Sequence, residues 1–290
     1  MATLVRHTAV NRGDLAVLYL HGFNDYFFQV ALARWFVARG IDFYALDMRK
    51  YGRSLLPHQT ANFCRDLAEY DPDLEAAAQV VAADGHRRLL LVAHSTGGLV
   101  APLWAARGTS LPAGLTLVGM VLNSPFLELP QSPALRAAMT PLLRGVSSVR
   151  PTTVLPLPRG SYGETIHAST GGEWDYSLDW KPLRSFPVRV GWLSAVLAGQ
   201  RVLQRGLDIR QPALVLLAGK AAPRQGSVEE AGQGDAVLDP DALARTAHAV
   251  SRHLTLVRLE GAIHDVFLSP EPARDRAYAT LGSWLEAWIN

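Results

Sequence analysis

The chain has 290 residues, 49% hydrophobic and 19% charged, so it can bury a sizeable core and lacks the composition of a disordered protein. Its 28 basic and 26 acidic residues leave a net charge of +2 with no basic block, which gives no electrostatic case for a nucleic-acid partner. The single cysteine, Cys64, excludes an intrachain disulfide and a cysteine-based metal site.

The length fits two ordinary domains or one large α/β domain with an insertion. Residues Met1–Val10 include Arg6 and His7 and lack an apolar stretch of signal-peptide length. The longest apolar runs, such as Leu89–Ala93 and Leu115–Leu122, are too short to span a bilayer, so the expectation is a soluble, cytoplasmic protein without an integral membrane segment. The first clear strand is Leu15–Leu20, ending in His21-Gly22-Phe23-Asn24-Asp25. Phe28, Leu32, Trp35 and Phe36 then stand at helical spacing, with Gly40 as the stop. Ile41–Leu46 reads as the next strand and runs into Asp47–Ser54. Asp66–Asp84 has helical periodicity, and Arg88–Ala93 is a continuous apolar strand of the kind found in the middle of a parallel sheet. His94-Ser95-Thr96-Gly97-Gly98 follows, then a helix over Leu99–Arg107 and a strand at Leu115–Leu122.

The alternation breaks between Ser124 and Asp208, a stretch rich in Pro, Trp and Tyr. It resumes at Pro212–Leu217, and a strand at Leu254–Leu259 leads to Gly261-Ala262-Ile263-His264-Asp265. Tyr278, Leu281, Leu285 and Trp288 mark one face of a last helix. The expected architecture is one mostly parallel α/β core, residues 1–123 and 209–290, split by a cap at 124–208. Pro151, Pro156, Pro158, Gly160, Gly163 and Gly171 suggest an irregular, loop-rich cap without a membrane-docking helix.

The strongest chemical signal is the serine in Leu91-Val92-Ala93-His94-Ser95-Thr96-Gly97-Gly98. A serine hydroxyl is a weak nucleophile until a sharp strand-to-helix turn presents it to a base and to backbone N–H donors. Small residues two before and two after the serine let the turn close, and Ala93 and Gly97 occupy those places. An N-cap serine opening a helix is the plain structural alternative. His21-Gly22-Phe23 supplies a second turn at a strand end. The N–H groups of Phe23 and Thr96 are the natural pair for an oxyanion, where one donor contributes about 2.7–4 kcal/mol. His264 stands between the last strand and the last helix, where an imidazole can reach back to Ser95. An acid must orient that imidazole, and Glu229, Glu230, Asp235, Asp239 and Asp241 are available. Asp241 suits a first helical turn and Asp239 an N-cap before Pro240, which leaves Asp235 as the better choice, with Asp239 still open.

Taken together, the chain resembles the α/β-hydrolase family, in its monoglyceride-lipase and serine-aminopeptidase-like branch, which includes lysophospholipase-like proteins. The resemblance rests on His21-Gly22-Phe23 with Asp25 shortly after, on Asp47, Arg49, Gly52 and Ser54, on the His94–Gly98 elbow, and on the order Ser95, Asp235, His264. One departure is the Gly- and Ala-rich stretch Ala221–Gly234 before the acid, which reads as a long loop. Asp47–Ser54 is expected to brace the loop beside the oxyanion turn.

The resemblance implies a serine hydrolase acting on a small-molecule ester. A peptidase or amidase, an acyltransferase, and a non-catalytic ligand-binding protein on the same scaffold are the alternatives. No cofactor is implied, and no metal site is suggested by the spacing of Asp47 and Asp235. In the insertion, Phe126, Tyr162, Trp174 and Trp180 are candidate pocket residues, among further aromatics that include Tyr176 and Trp192. Arg144, Arg150, Arg159 and Arg184 are scattered bases that suit an anionic substrate group or a plain surface equally. A loop-rich cap suggests a soluble ester with a short to medium acyl chain.

Overall fold

The structure is a computed structural model that describes residues 1–108, 111–131, 133–157 and 160–289. Among these, strands β1 (Thr3–His7), β2 (Leu15–Leu20), β3 (Asp42–Asp47), β4 (Arg88–His94), β5 (Thr116–Asn123), β6 (Ala213–Ala218) and β7 (Leu254–Leu259) form one seven-stranded sheet. Their order is β1-β3-β2-β4-β5-β6-β7, with β1 antiparallel to β3 and the other neighbours parallel. The unbroken aliphatic runs take central places, where both faces need apolar cover: every residue of β2 and β6 is buried.

Helices α1 (Val30–Val37), α2 (Asp71–Ala83) and α3 (Gly97–Ala106) connect the early strands. Short helices α7 (Val228–Ala231) and α8 (Pro240–Thr246) lie between β6 and β7, and α9 (Glu271–Trp288) follows β7. Side chains alternate across the sheet. Leu18 and Leu20 of β2 therefore pack with Leu74 of α2 and Leu99 of α3 on one face, whereas Val17 and Tyr19 pack with Phe36 of α1 and Leu281 of α9 on the other.

Four sequence expectations change. The edge strand β1 carries no strong alternation, being half-buried along most of its length, and only its pairing with β3 reveals it. The helix expected over Asp66–Asp84 starts as a 3₁₀ turn at Leu67–Tyr70, capped by Asp66 and Glu69, because Pro72 resets the backbone before α2 proper. In α9 the buried face uses Trp284, while Trp288 is half exposed.

The fourth change concerns the stretch between β5 and β6. It carries the 17-residue helix α4 (Pro133–Val149), the short helix α5 (Tyr162–Ile166) and the 14-residue helix α6 (Val190–Leu203); the described residues between α4 and α6 are otherwise largely irregular, so the loop-rich expectation holds there and fails for the two long helices. α4 is amphipathic but carries Pro141 and Gly145, residues that weaken a helix interior, and α6 is buried along most of its length, so no polar stripe marks it. Leu143 of α4 packs into the core, whereas Leu142 and Val149 are 70% and 79% exposed. An exposed apolar row on a long helix removes the ground for expecting a soluble ester from cap geometry alone. Pro158 and Arg159 lie outside the described residues. Among the described residues, no helix is long and apolar enough to cross a membrane.

Leu91, fully buried in β4, packs against helices on one face of the sheet. Leu91→Ala is expected to lower unfolding free energy by about 2–5 kcal/mol in a urea titration. A loss below about 1 kcal/mol would contradict the placement of β4 at the centre.

Candidate active site

Only Ser95 and Thr96 separate β4 from α3, so the chain must reverse direction within two residues. Ser95 takes a φ of 52°, in the left-handed region that side chains avoid. Three main-chain bonds hold it there: Ser95 N–H to Asn123 O (3.0 Å), Phe126 N–H to Ser95 O (2.8 Å) and Gly98 N–H to Ser95 O (2.9 Å). A Cβ on Gly97 would lie 2.5 Å from His21 O and 2.7 Å from Leu20 O, and one on Gly98 would meet Pro125 Cβ at 2.6 Å, so both positions require glycine. The N-cap position of α3 belongs to Thr96, which makes no side-chain capping bond.

His264, in the turn after β7, is 2% exposed. Its Nε2 lies 3.0 Å from Ser95 Oγ and its Nδ1 lies 2.9 Å from Asp235 Oδ2. A carboxylate on Nδ1 holds the proton there and leaves Nε2 free to accept from the hydroxyl. Asp235 is itself fixed, because its Oδ1 accepts the N–H groups of Val237 (2.8 Å) and Leu238 (2.7 Å). Asp239 is occupied elsewhere: it caps α8 by accepting the Asp241 N–H at 3.0 Å. The stretch Ala221–Gly234 is not a plain loop but contains α7, started by a Ser227–Glu230 capping box. The excursion is pinched at its base by Asp235 N–H to Lys220 O (3.0 Å) and Ala222 N–H to Asp235 O (2.8 Å), which returns Asp235 to the end of β6.

The His21–Asp25 turn lies against the elbow, since a Cβ on Gly22 would come within 2.9 Å of Ser95 Cβ. Among the described residues, neither the Phe23 N–H nor the Thr96 N–H is engaged by a protein acceptor. His21 ties the turn to the end of β3: its Nε2 accepts the Met48 N–H (3.1 Å), so Nδ1 donates to Gly22 O (2.8 Å). Burial lowers the pKa of this ring and keeps it neutral. Asp47 braces the same region through Phe27 N–H (2.8 Å) and Arg53 Nη1 (2.9 Å), and Ser54 Oγ donates to Asp47 O (2.6 Å). Arg49 points elsewhere, making a two-pronged pair with Asp73 (2.8 and 2.9 Å).

The candidate pocket residues divide. Phe126 follows β5 and reaches the elbow by donating its N–H to Ser95 O, and its ring faces Trp192 of α6 at 6.4 Å. Trp192 also lies 4.2 Å from the ring of Phe23 and thus covers the His21–Asp25 turn. The Tyr162 ring stands edge-on to His264 at 5.4 Å. Trp174 donates to Leu268 O (2.9 Å), and Trp180 packs on Tyr26 at 5.1 Å, both within a satellite cluster around Ile166, Tyr176 and Ile263. Arg184 faces Glu164 at 3.5 Å, and Arg144 and Arg150 are exposed.

A buried polar network, not foreseen from the sequence, lies beside Ser95, His264 and Asp235. Asp25 Oδ1 accepts from Lys181 Nζ (2.9 Å), and Asp25 Oδ2 lies 3.4 Å from His94 Nδ1. Asp265 accepts from Asn123 Nδ2 (2.6 Å) and Gln29 Nε2 (3.3 Å) and lies 3.9 Å from His94 Nδ1. The His94 ring packs against His264 at 4.9 Å. Burial opposes a charge on His94, but Asp265 and Asp25 together outweigh it and raise its pKa. Burial likewise opposes ionised Asp25, yet Lys181 and His94 hold its carboxyl well below the usual carboxylate range. His94 and Asp265 each neighbour a motif residue, which is a usable signal. Lys181 sits in a tract without periodicity and offers none. Among the described residues, no group of three or more His, Cys, Asp or Glu is arranged to hold a metal ion.

Because Asp25 is depressed below its ordinary value of 3.8, its contribution to stability is complete above that pH and is lost as pH falls further. Asp25→Asn should lower stability at neutral pH by about 3–5 kcal/mol, since it leaves Lys181 buried without a counter-charge. Its stability should also fall less steeply than wild type below about pH 4. Parallel acid-denaturation curves for the two proteins would contradict this.

The model of the family described as serine aminopeptidase, S33, matches residues 12–271. No curated protein matches the chain in sequence. Similar solved structures include a monoacylglycerol lipase of Paleococcus ferrophilus, at 18% identity with 98% of both chains covered and a TM-score of 0.70. A soluble variant of monoglyceride lipase from Saccharomyces cerevisiae, in complex with a substrate analogue, matches at 16% identity over 100% of this chain and 92% of that one, with a TM-score of 0.73. Est1E of Butyrivibrio proteoclasticus, with ferulic acid bound, matches at 15% identity over 99% and 95%, with a TM-score of 0.59. The structural matches establish the fold, and the family match spans most of the chain, from before β2 to the start of α9. The chain belongs to the serine aminopeptidase, S33, family of α/β hydrolases.

Proposed function

We propose that the protein hydrolyses carboxylic esters through an acyl-enzyme on Ser95. The observation that carries this reading is the buried relay from Ser95 Oγ to His264 Nε2 (3.0 Å) and from His264 Nδ1 to Asp235 Oδ2 (2.9 Å). Ser95 Oγ attacks the ester carbonyl while its proton passes to His264 Nε2, and Asp235 stabilises the resulting imidazolium. The oxyanion is received by the N–H groups of Phe23 and Thr96. Collapse breaks the bond to the alcohol, which leaves with the proton from Nε2. Water then repeats the cycle on the acyl-enzyme, releasing the acid and restoring Ser95.

Residues 124–208 act in this reading as a cap, and Phe126, Trp192 and Tyr162 form the apolar boundary nearest the reacting carbonyl. An ester fits better than a peptide with a free amino end. Such a peptide needs a carboxylate presented to its ammonium group, and the two carboxylates beside the triad are committed inward. Asp25 is bound by Lys181, and Asp265 by Asn123 and Gln29, both within buried surroundings. The lipase and esterase names of the similar structures agree with this reading.

Ser95→Ala should reduce hydrolysis of p-nitrophenyl esters by at least about 10⁴-fold without changing the circular dichroism spectrum. A fluorophosphonate probe should label the wild type at Ser95, read by peptide mass spectrometry. Residual activity within about tenfold of wild type would overturn the assignment. Asp235→Asn should lower kcat by about 10⁴-fold, because the imidazole loses its tautomer, whereas Asp239→Asn should cost less than about tenfold. A reversed order of these two effects would move the acid to Asp239.

A further inference from the structure

Burying an ammonium carries a desolvation cost that an apolar side chain of similar volume avoids. Lys181 is nevertheless only 5% exposed. It lies in the segment between β5 and β6, and the hydrogen bonds of its ammonium go to one short piece of the core: Asp25 Oδ1 at 2.9 Å and Asn24 O at 3.4 Å. The rings of Phe28 (5.5 Å), Tyr176 (5.6 Å) and Tyr162 (6.0 Å) surround the ammonium. Asn24 completes the attachment from the other side. Its Nδ2 donates to Pro182 O (3.1 Å), and its Oδ1 accepts the Phe186 N–H (3.0 Å). Asn24 also takes a φ of 52°, a conformation that needs such support. Both residues that follow Phe23 are therefore held by residues 181–186.

We propose that Lys181 is a positioning residue which, together with Asn24, fastens the inserted segment to the His21–Asp25 turn and thereby aims the Phe23 N–H at the reacting carbonyl. An oxyanion donor stabilises developing charge only if it is in place beforehand, and a misplacement of about 1 Å costs about 10²-fold in rate. The segment that covers the site is in this way also a condition of its competence: with Lys181 unseated, the turn bearing Phe23 loses its external support. The inference rests on the reading of Phe23 as an oxyanion donor.

The test uses Lys181→Met and Asn24→Gly, the second of which keeps the positive φ accessible and alters no charge. Both should lower kcat for p-nitrophenyl esters by about 10–100-fold with KM within about threefold, at a temperature where circular dichroism shows them folded. Thr170→Val removes hydrogen bonds to Glu164 O and His167 O in the same segment, away from the turn, and should keep near wild-type kcat. If Lys181→Met fails to fold, Asn24→Gly decides alone. The proposal is overturned if a folded variant keeps its kcat, if the loss falls in KM, or if Thr170→Val loses as much kcat as Lys181→Met. A wild type that neither hydrolyses esters nor labels at Ser95 overturns the underlying reading as well. A labelled, active wild type with unaffected variants overturns the Lys181 assignment alone.

Discussion

The left-handed backbone of Ser95 is the constraint around which the rest of the site is arranged. A residue in that conformation must be held from several sides, and the holding groups come from the end of β5, from Phe126 just beyond it and from the first turn of α3. Gly97 rests on the carbonyl groups of Leu20 and His21, so the elbow and the His21–Asp25 turn cannot move apart independently. Asn123 gives its main-chain oxygen to Ser95 and its side chain to Asp265, the neighbour of His264. One residue at the end of β5 therefore sets the height of the serine and steadies the loop that carries the imidazole.

Charge is distributed to match. The middle of the sheet is apolar, and Asp25, Asp47, Asp235 and Asp265 all lie buried at or beyond strand ends on the edge where the parallel strands finish, while Asp42 is buried at the opposite edge beside Arg12 and His86. Each is compensated differently. Asp235 has two main-chain N–H groups and an imidazole, Asp47 has Arg53, Asp25 has Lys181, and Asp265 has two side-chain amides. Carboxylates at that depth persist only when fully partnered, which accounts for the side-chain hydrogen bonds gathered around Ser95 and His264.

Much of this was legible in the sequence because the governing signals are local. The boundaries of β2 and β7 follow from apolar runs, and the meeting of Ser95 with His264 follows from their places at the C-terminal ends of strands. Asp235 was harder, because the excursion that precedes it separates it from β6, and only the pairing of its main chain with Lys220 and Ala222 shows why that length is harmless. The elements that escaped depend on tertiary partners. β1 is a strand because β3 is beside it, α4 carries an internal proline, and Lys181 is meaningful only through a contact 156 residues away in sequence. Aromatic composition alone did not separate Trp192, which covers Phe23, from Trp174 and Trp180, which support a satellite core.

The order of strands in the sheet bears on how such a protein comes into being. From β4 onward the strands stand side by side in the order of synthesis: β4, β5, β6, β7. The elbow can thus be shaped by β2, β4 and β5 while the imidazole that faces it, 169 residues later, has yet to be made. A growing chain would pass through a stage in which the serine is present but has no base beside it. The contact between Ser95 and His264 is then completed in one of the last acts of folding, when the turn beyond β7 settles against Asn123, whose Oδ1 accepts the Val266 N–H at 3.1 Å.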